Sequence, residues 1–444
     1  MTISLSDHFT YGKLLRFTLP SIGMMVFTSI YGVVDGFFVS NFAGKTPFAA
    51  VNLIFPFLMI LATVGFMFGT GGSALVAKQF GEGKREEGNR TFSFLVYTTA
   101  FLGLVFAVLG FVFIRPISVL LGADGELLEN CVLYGRILLL ALPFNVLQFL
   151  FHSFFVTAEK PQLGLAVTVG AGVTNMVLDA VLVILLPQEY KLVGAAIATA
   201  ASQAVGGIVP LLYFSRKNGS VLRLGKTRFD GKALVKTCTN GSSELMSNVS
   251  MNLVGMLYNL QLIHYAGEDG VSAYGVMMYV SFIFCAVFIG YSIGTAPIVS
   301  YHYGAQTHAE LRGLLRQSLL LIGVGSVGMV MVAELLSAPL SRLFVGYDAA
   351  LLALTVSGFR YFALCFFFMG FAIYGSGFFT ALNDGLTSAI ISFLRTMVFQ
   401  VAAVLLLPLL WGIDGVWISI IVAELMAAVF SFLFLILKKK KYRY

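Results

Sequence analysis

The stretch NMVLDAVLVILLP, from Asn175 to Pro187, places a carboxylate in the middle of an apolar run. Removing an ionised Asp from water is costly, so Asp179 requires a proton, a cation or a hydrogen-bonding partner. Asn175 precedes Asp179 by four residues, which places both side chains on one face of a helix. Asp35 and Thr199 lie in two other apolar runs. Together these groups have the chemistry of an all-oxygen site for a hard monovalent cation, or of coupled proton acceptors.

The composition indicates that these residues lie in a membrane. Of 444 residues, 58% are hydrophobic and 11% are charged, whereas about 25% are charged in a typical soluble protein. The four cysteines form neither a CxxC pair nor a Cys/His cluster, so the sequence predicts no disulfide framework, zinc site or other cofactor. The first residues lack a basic region and a cleavage site typical of a signal peptide, so we expect the first apolar run to remain in the mature chain.

Apolar runs between polar breaks predict twelve membrane-spanning helices of about 20 or more residues each. Strands of a membrane barrel would alternate over about ten residues instead of staying apolar throughout. The predicted fold is therefore an all-α integral membrane protein. The runs are residues 14–42, 48–77, 91–114, 130–156, 162–186, 192–214, 235–265, 271–302, 313–336, 350–381, 385–411 and 414–437.

The distribution of Lys and Arg predicts the orientation. With an even number of helices both termini lie on one side, and most of the 28 basic residues lie on that side. The opposite loops carry only Lys45, Arg115, Lys191 and Arg342. The positive-inside rule therefore places both termini in the cytoplasm. The net charge of +7 fits this orientation, so we do not expect nucleic acid as a partner; binding of anionic lipid by the basic linker stays an alternative.

The chain contains an internal repeat with an offset of about 223 residues. Residues 31–44 align with 254–267, and residues 71–81 align with 294–304 without a gap. Six helices per repeat is an even number, so the two halves have the same orientation and are related by a pseudo-twofold axis along the membrane normal. The predicted organisation is a lobe over residues 1–214, a basic cytoplasmic linker over 215–236, and a second lobe over 237–444 that ends in a basic tail. Two such lobes suit alternating access to a midplane site.

The polar residues break this symmetry. Counting from the predicted helix ends, Asp35, Asp179 and Thr199 all lie about 10 Å below the outer surface, so they could share one pocket. Neutralisation by a proton or by Na⁺ could then be coupled to movement. A structural role, with each polar group bonded to a neighbouring helix, is the alternative, above all for Asn175 and Thr199. The repeat pairs Asp35, Asn175 and Asp179 with Tyr258, Val398 and Ala402.

The second lobe has its own buried charges. Glu244, Arg395 and Glu424 lie about 15 Å deep, near the midplane. They are either a charge-compensated structural cluster or part of a substrate cavity, and Arg395 requires Glu424 or Glu244 as a partner. Five weaker polar candidates are Gln148, His152, Asn252, Asn259 and Gln261.

Aromatic residues and one proline add two further expectations. The chain has 42 Phe and 18 Tyr, and some of these rings could line a cavity for flat organic cations, because ring faces attract positive charge. Pro20 lies inside the first helix, where it removes a backbone donor and should bend the helix. The sequence allows two alternatives, a passive bend and a hinge that moves with protonation of Asp35.

Several motifs resemble those of the multidrug and toxic compound extrusion (MATE) transporters. They are Pro20 followed by Asp35 in helix 1, NMVLDAVLVI in helix 5, and GTGGSALVAKQFG with its counterpart GTAPIVSYHYG. The chain is similar to this family over nearly its full length, and most similar to the group of bacterial multidrug exporters. The resemblance implies a monomeric, V-shaped antiporter in the bacterial plasma membrane. It would export cationic, amphipathic compounds in exchange for Na⁺ or H⁺.

The resemblance also assigns roles to individual residues. It implies that Asp35, Asn175 and Asp179 bind the coupling cation, with Thr199 as the hydroxyl ligand from helix 6. Glu244 matches an acidic position that one branch of the family uses together with an Asp in helix 10. Helix 10 of this chain has no Asp, which favours a cation site in the first lobe.

Two main rival functions have to be compared with transport of organic cations. A flippase for lipid-linked saccharides, from the same superfamily, should have several cations in its cavity to bind pyrophosphate, whereas Arg395 is the only clear midplane cation here. An intramembrane enzyme would need a nucleophile with a base, or a metal cluster. The sequence contains no HExxH or GxSxG motif and no aspartyl dyad pattern, so we expect a transporter and not an enzyme.

Overall fold

The computed structural model describes residues 3–346 and 348–444, without the side chain of Asn252. All regular secondary structure in this part of the chain is helical. The first six helices are α1 Tyr11–Ala43, α2 Lys45–Gly81, α3 Arg85–Leu120, α4 Gly125–Thr157, α5 Pro161–Val183 and α6 Lys191–Ser215. A single helical run, Gly231–Gly304, then contains α7 and α8. The remaining helices are α9 His308–Val345, α10 Ala349–Ala363 with Phe366–Ala381, α11 Gly385–Leu406, and α12, which belongs to the run Pro408–Tyr442.

Two helical runs contain chain reversals at glycines. Gly267 has φ +62° and ψ −150°, a conformation that side-chain-bearing residues avoid. The rings of Tyr258 and Tyr274 stack with centroids 5.3 Å apart, although sixteen residues of straight helix would separate them by about 24 Å. The chain therefore turns back at Gly267, which makes α7 residues 231–266 and α8 residues 268–304. Gly412, with φ +57°, likewise separates the end of α11 from α12, residues 413–442.

With these reversals, the described chain has twelve spans. The two pieces of α10 meet at a bend of 45° and together form one of them. This confirms the predicted all-α membrane fold with six helices in each half. The predicted helix ends differ from the observed ones by up to nine residues, and the differences are largest for α3 and α9, which extend beyond the apolar runs.

The two halves pack against each other at the end of the spans that carries the chain termini, here called the terminal side. Glycines in α2, α7 and α8 allow backbones to touch there. A Cβ atom on Gly71 would overlap the carbonyl of Thr237, and one on Gly304 would overlap the carbonyl of Lys78. Such close approach of small residues is how membrane helices gain van der Waals contact without a hydrophobic driving force.

Helix α1 and the segment before it complete this contact. Gly290 of α8 packs directly against the backbone of Ser21 and Ile22, so α1 lies against the second half here. Phe9 is buried, its carbonyl accepts a hydrogen bond of 2.9 Å from Gln317, and its ring meets His302 edge to face. The interlobe contacts described here all involve the terminal halves of the helices.

The glycine contacts give a first prediction. Replacing Gly241 by Leu would force a side chain into the carbonyl of Met67 in α2. Overpacking of this kind costs about 1–3 kcal/mol, so we expect the terminal contact to open in a larger fraction of molecules. The nearby thiol of Cys238, which packs with the core of the first half, should then react several-fold faster with a membrane-impermeant maleimide.

Gly328→Leu is the matched control, because nothing lies within 4 Å of a Cβ atom built at this position of α9. Equal labelling rates of Cys238 in the two variants would show that the Gly241 contact does not hold the terminal side closed.

Candidate functional site

Three helices of the first half bring the four predicted site residues together. The Asn175 amide of α5 lies 3.5 Å from the Thr199 hydroxyl of α6 and donates to it. Thr199 in turn donates to a carboxylate oxygen of Asp35 in α1, at 3.3 Å. Asp179 is fully buried, whereas Asp35 is half-buried. The geometry places the four side chains in one cluster, here called the oxygen cluster.

The carboxylates of Asp35 and Asp179 lie next to each other in this cluster, close enough to share a proton. Both oxygens of Asp179 and the side-chain oxygen of Asn175 are buried without a hydrogen-bond donor among the described residues. Two adjacent carboxylates repel when both are ionised. A proton between them, or a cation bound by the free oxygens, would remove this repulsion.

The backbone of both acid-bearing helices changes its winding at the cluster. Helix α5 becomes π-helical over Asp179–Val183, beginning at the carboxylate itself. Helix α1 does the same over Val39–Ala43, one turn beyond Asp35. π-Helical turns are rare and occur often at functional sites. The two π turns contact each other.

Helix α4 adds polar groups that the sequence did not single out as cluster members. Tyr134 is fully buried, faces Thr199 and the two acids, and its hydroxyl has no partner among the described residues. Gln148, a weaker candidate, is buried beside Tyr31 with both amide atoms free of strong hydrogen bonds. His152 contacts Thr168 at 3.4 Å and packs against the ring of Phe149. The signal for Gln148 was its polarity, whereas a single Tyr gives no signal in a chain with so many.

The buried charges of the second half form an ion pair. Arg395 binds Glu424 in a forked arrangement, with nitrogen-to-oxygen distances of 2.8–3.0 Å. Gln400 adds a hydrogen bond of 3.3 Å to the same carboxylate. Glu424 is fully buried. Its negative charge would be strongly unfavourable there without the positive charge of Arg395 beside it. Arg395 therefore pairs with Glu424 and not with Glu244, the other predicted partner.

A cavity of about 500 Å³ opens beside this ion pair, between α7, α8, α11 and α12. Its walls combine stacked tyrosines, methionines and amide groups, a composition suited to a flat or flexible apolar ligand. Glu244 lines a smaller cavity of about 90 Å³ that adjoins it, with Arg395 on the wall of both. Residues of the larger cavity include Met251, Met256, Tyr258, Asn259, Tyr274, Met278 and Phe282.

At the position that corresponds to Asp35, the second half has a neutral pair of side chains. Tyr258 of α7, the counterpart of Asp35, shares a hydrogen bond of 2.8 Å with Ser419 of α12. Helices α7 and α12 correspond to α1 and α6, so this bond joins the same two helices as the bond of Asp35 with Thr199, although the repeat aligns Thr199 with Ile420 and not with Ser419. A phenol and a hydroxyl satisfy each other without a proton or an ion. The second half thus keeps a hydrogen bond between these two helices, but a neutral phenol takes the place of the carboxylate.

Pro20 lies buried in α1, and the helix continues through it from Tyr11 to Phe38 without interruption. It directly precedes Ser21 and Ile22, which pack against Gly290. The bend predicted at Pro20 stays a prediction.

Comparison with known proteins agrees with this architecture. The sequence model of the MatE family matches the chain twice, over residues 20–181 and 245–406. The multidrug export protein MepA of Staphylococcus haemolyticus is 25% identical over 419 residues, which is 94% of this chain and 91% of that protein. MepA of Staphylococcus aureus strain MRSA252 is 22% identical over 434 residues, 97% of this chain and 94% of that protein.

Solved structures share the fold. An outward-facing multidrug resistance MATE transporter superposes with a TM-score of 0.92 at 22% identity, covering 98% of this chain and 97% of its own. A MATE structure in a straight conformation gives the same TM-score and identity, with 98% of both chains covered. Because the family model matches most of the chain and the relatives are export proteins, this chain belongs to the MatE family of membrane transporters.

Proposed function

We propose that this transporter exports cationic, amphipathic compounds in exchange for Na⁺ or H⁺. The observation that carries the proposal is the oxygen cluster, in which Asp35 and Asp179 face each other and no basic residue among those the structure describes is bonded to either. Intramembrane acids without a fixed counter-charge are typical of ion pathways. A bound Na⁺ would be held by oxygens of Asp35, Asn175, Asp179 and Thr199, and a proton by the two carboxylates. Either ion would neutralise the cluster and be released when the cluster is exposed to the other side.

The cavity in the second half supports a cationic substrate. Arg395 forms an ion pair with Glu424, so these two charges cancel. Glu244 then leaves one excess negative charge near the cavity, with no ion pair to it among the described residues. The stacked rings of Tyr258 and Tyr274 offer faces that attract cations. Related MepA proteins are multidrug exporters, which fits a cavity that selects by charge and apolar surface.

Alternating access supplies the mechanism in this proposal. By the positive-inside rule the terminal side is cytoplasmic, so the closed contact there corresponds to a state that is open to the outside. Neutralisation of Asp35 would favour a different arrangement of α1, with Pro20 as the point where the helix can bend. The protein would act as a monomer in the bacterial plasma membrane, with lipid around it and without nucleic acid.

Transport of a pyrophosphate-linked saccharide is less well supported. Such a substrate requires several cations in the cavity. Among the described residues that line the two cavities of the second half, Arg395 is the only one with a positive charge, and it is bound to Glu424.

The oxygen cluster gives the second prediction. We expect Asp35→Asn and Asp179→Asn each to reduce efflux of a fluorescent organic cation at least about tenfold, because an amide can neither take up a proton nor balance a cation. The measurement uses proteoliposomes under an imposed Na⁺ gradient and, separately, under an imposed pH gradient. In the wild type one of the two gradients should drive efflux, and both variants should lose that response.

Asp269→Asn is the matched control, since this exposed Asp lies in the first turn of α8 and undergoes the same chemical change. Gradient-driven efflux at the wild-type rate in both cluster variants would disprove coupling at this site.

The cavity gives the third prediction. Glu244→Gln removes the excess negative charge near the cavity and keeps the shape of the side chain. We expect a higher KM for a monovalent organic cation, by about fivefold to tenfold as one partly buried charge interaction is lost. The KM for an uncharged substrate of similar shape should stay the same. Equal changes for both substrates would indicate a structural effect, and no change for either would remove Glu244 from recognition.

A further inference from the structure

The linker between the two halves does not hang free but follows the outside of α3. The Arg223 backbone amide donates to the side-chain oxygen of Asn89 at 2.8 Å, and the Gly225 amide donates to Ser93 at 3.0 Å. The Thr227 hydroxyl donates to the carbonyl of Arg90 at 3.0 Å. These long-range bonds fix the linker along the first turns of α3, where that helix begins on the terminal side.

The face of α3 below the linker is turned to lipid. Tyr97, Phe101, Leu104 and Val108 follow one another at helical spacing on one face and are 47–64% exposed. Large apolar side chains exposed along a spanning helix face the hydrocarbon. Tyr97 belongs to this stripe, and its hydroxyl donates to the carbonyl of Gly225. The linker therefore crosses the terminal end of this apolar stripe, where lipid headgroups would lie.

The linker and α3 enclose a groove of about 830 Å³ at this level. Three cations line it, Arg90, Lys226 and Arg228. Among the described residues Lys226 and Arg228 form no ion pair, and Arg90 meets only the strongly exposed Glu86 at 3.8 Å. Phe229 stands at the edge, 80% exposed, with its ring edge against Phe94.

The two acids of the groove are already engaged. Asp230 accepts hydrogen bonds from the backbone amides of Lys232 and Ala233 and so caps the start of α7. Glu87 accepts a hydrogen bond from Gln79 and lies 4.0 Å from the Lys84 ammonium. The free charge facing outward in the groove is therefore positive.

We propose that this groove binds the headgroup of an anionic phospholipid. The phosphate would lie among Arg90, Lys226 and Arg228, and the acyl chains would run down the apolar stripe from Phe229 and Tyr97. A soluble anion would use only the charges, whereas a lipid also covers an exposed aromatic ring and the stripe below it. The bound lipid would hold the linker against the first half and so affect how the two halves move.

The test uses the full-length protein in neutral detergent, titrated with phosphatidylglycerol or phosphatidylcholine, with bound lipid counted by native mass spectrometry. We expect the wild type to retain phosphatidylglycerol in preference to phosphatidylcholine. Lys226→Gln combined with Arg228→Gln should weaken phosphatidylglycerol binding by about 10- to 30-fold, as two near-surface charges are lost. The charge-conserving pair Lys226→Arg with Arg228→Lys should bind as the wild type does, which separates charge loss from misfolding.

Lys439→Gln combined with Lys440→Gln is the matched control, because it removes two exposed charges from the same side of the membrane, away from the groove. Equal loss of lipid in this control would reduce the effect to net charge and overturn the site. Displacement of the lipid by millimolar inorganic phosphate or by a short RNA would also overturn the proposal, since it would show that a soluble anion is the ligand. Phe229→Ser should weaken lipid binding without changing its preference for an anionic headgroup.

Discussion

Everything in the first half depends on holding two carboxylates in an apolar lobe without a permanent counter-charge. Asp35 and Asp179 lie side by side, and the nearest bonded groups are the neutral Thr199 and Asn175. Two ionised carboxylates in such surroundings repel each other, and uptake of a proton or a cation would relieve this repulsion. The Arg395–Glu424 pair shows the opposite solution in the same chain. There each side chain neutralises the charge of the other, so no ion has to bind or leave.

Comparison of the two halves separates the helix packing that they share from the carboxylate that only the first half has at this position. Both halves keep a hydrogen bond between the first and the sixth helix, Asp35 with Thr199 and Tyr258 with Ser419. In the second half a phenol makes this contact, and the space nearby is a cavity lined by Tyr258, Tyr274 and methionines. The same pair of helices thus carries part of the oxygen cluster in one lobe and part of the cavity wall in the other.

Much of this could be predicted from the sequence, because a membrane enforces simple rules. Long apolar runs must be helices, which fixed the twelve spans, and counting residues from the ends placed Asp35, Asp179 and Thr199 at one depth. The meeting of those three side chains also depends on how α1, α5 and α6 rotate about their axes, which depth alone does not determine. Helical periodicity is weak in a helix that is apolar on every face.

Other features depended on contacts that no local pattern encodes. Glu244 and Glu424 both lie at the predicted depth of Arg395. Only the packing of α11 against α12 brings Glu424 within hydrogen-bonding distance of the Arg395 guanidinium group. Tyr134 joins the oxygen cluster because α4 packs against α6, and nothing distinguishes it from the other tyrosines in the sequence. No residue pattern in the sequence predicts the π-helical turns at Asp179 and after Asp35.

The position of α1 explains how a small ion could govern a large movement. Thirteen residues, or about 20 Å of helix, separate Asp35 from Ile22, which packs on Gly290 of the other half. The same helix therefore contributes one acid of the oxygen cluster and part of the contact that closes the terminal side. A helix acts as a rigid connector except where a backbone hydrogen bond is missing, and α1 lacks one at Pro20. In the proposed mechanism, coupling then requires no long pathway of side chains, because one helix contacts both the oxygen cluster and the second half.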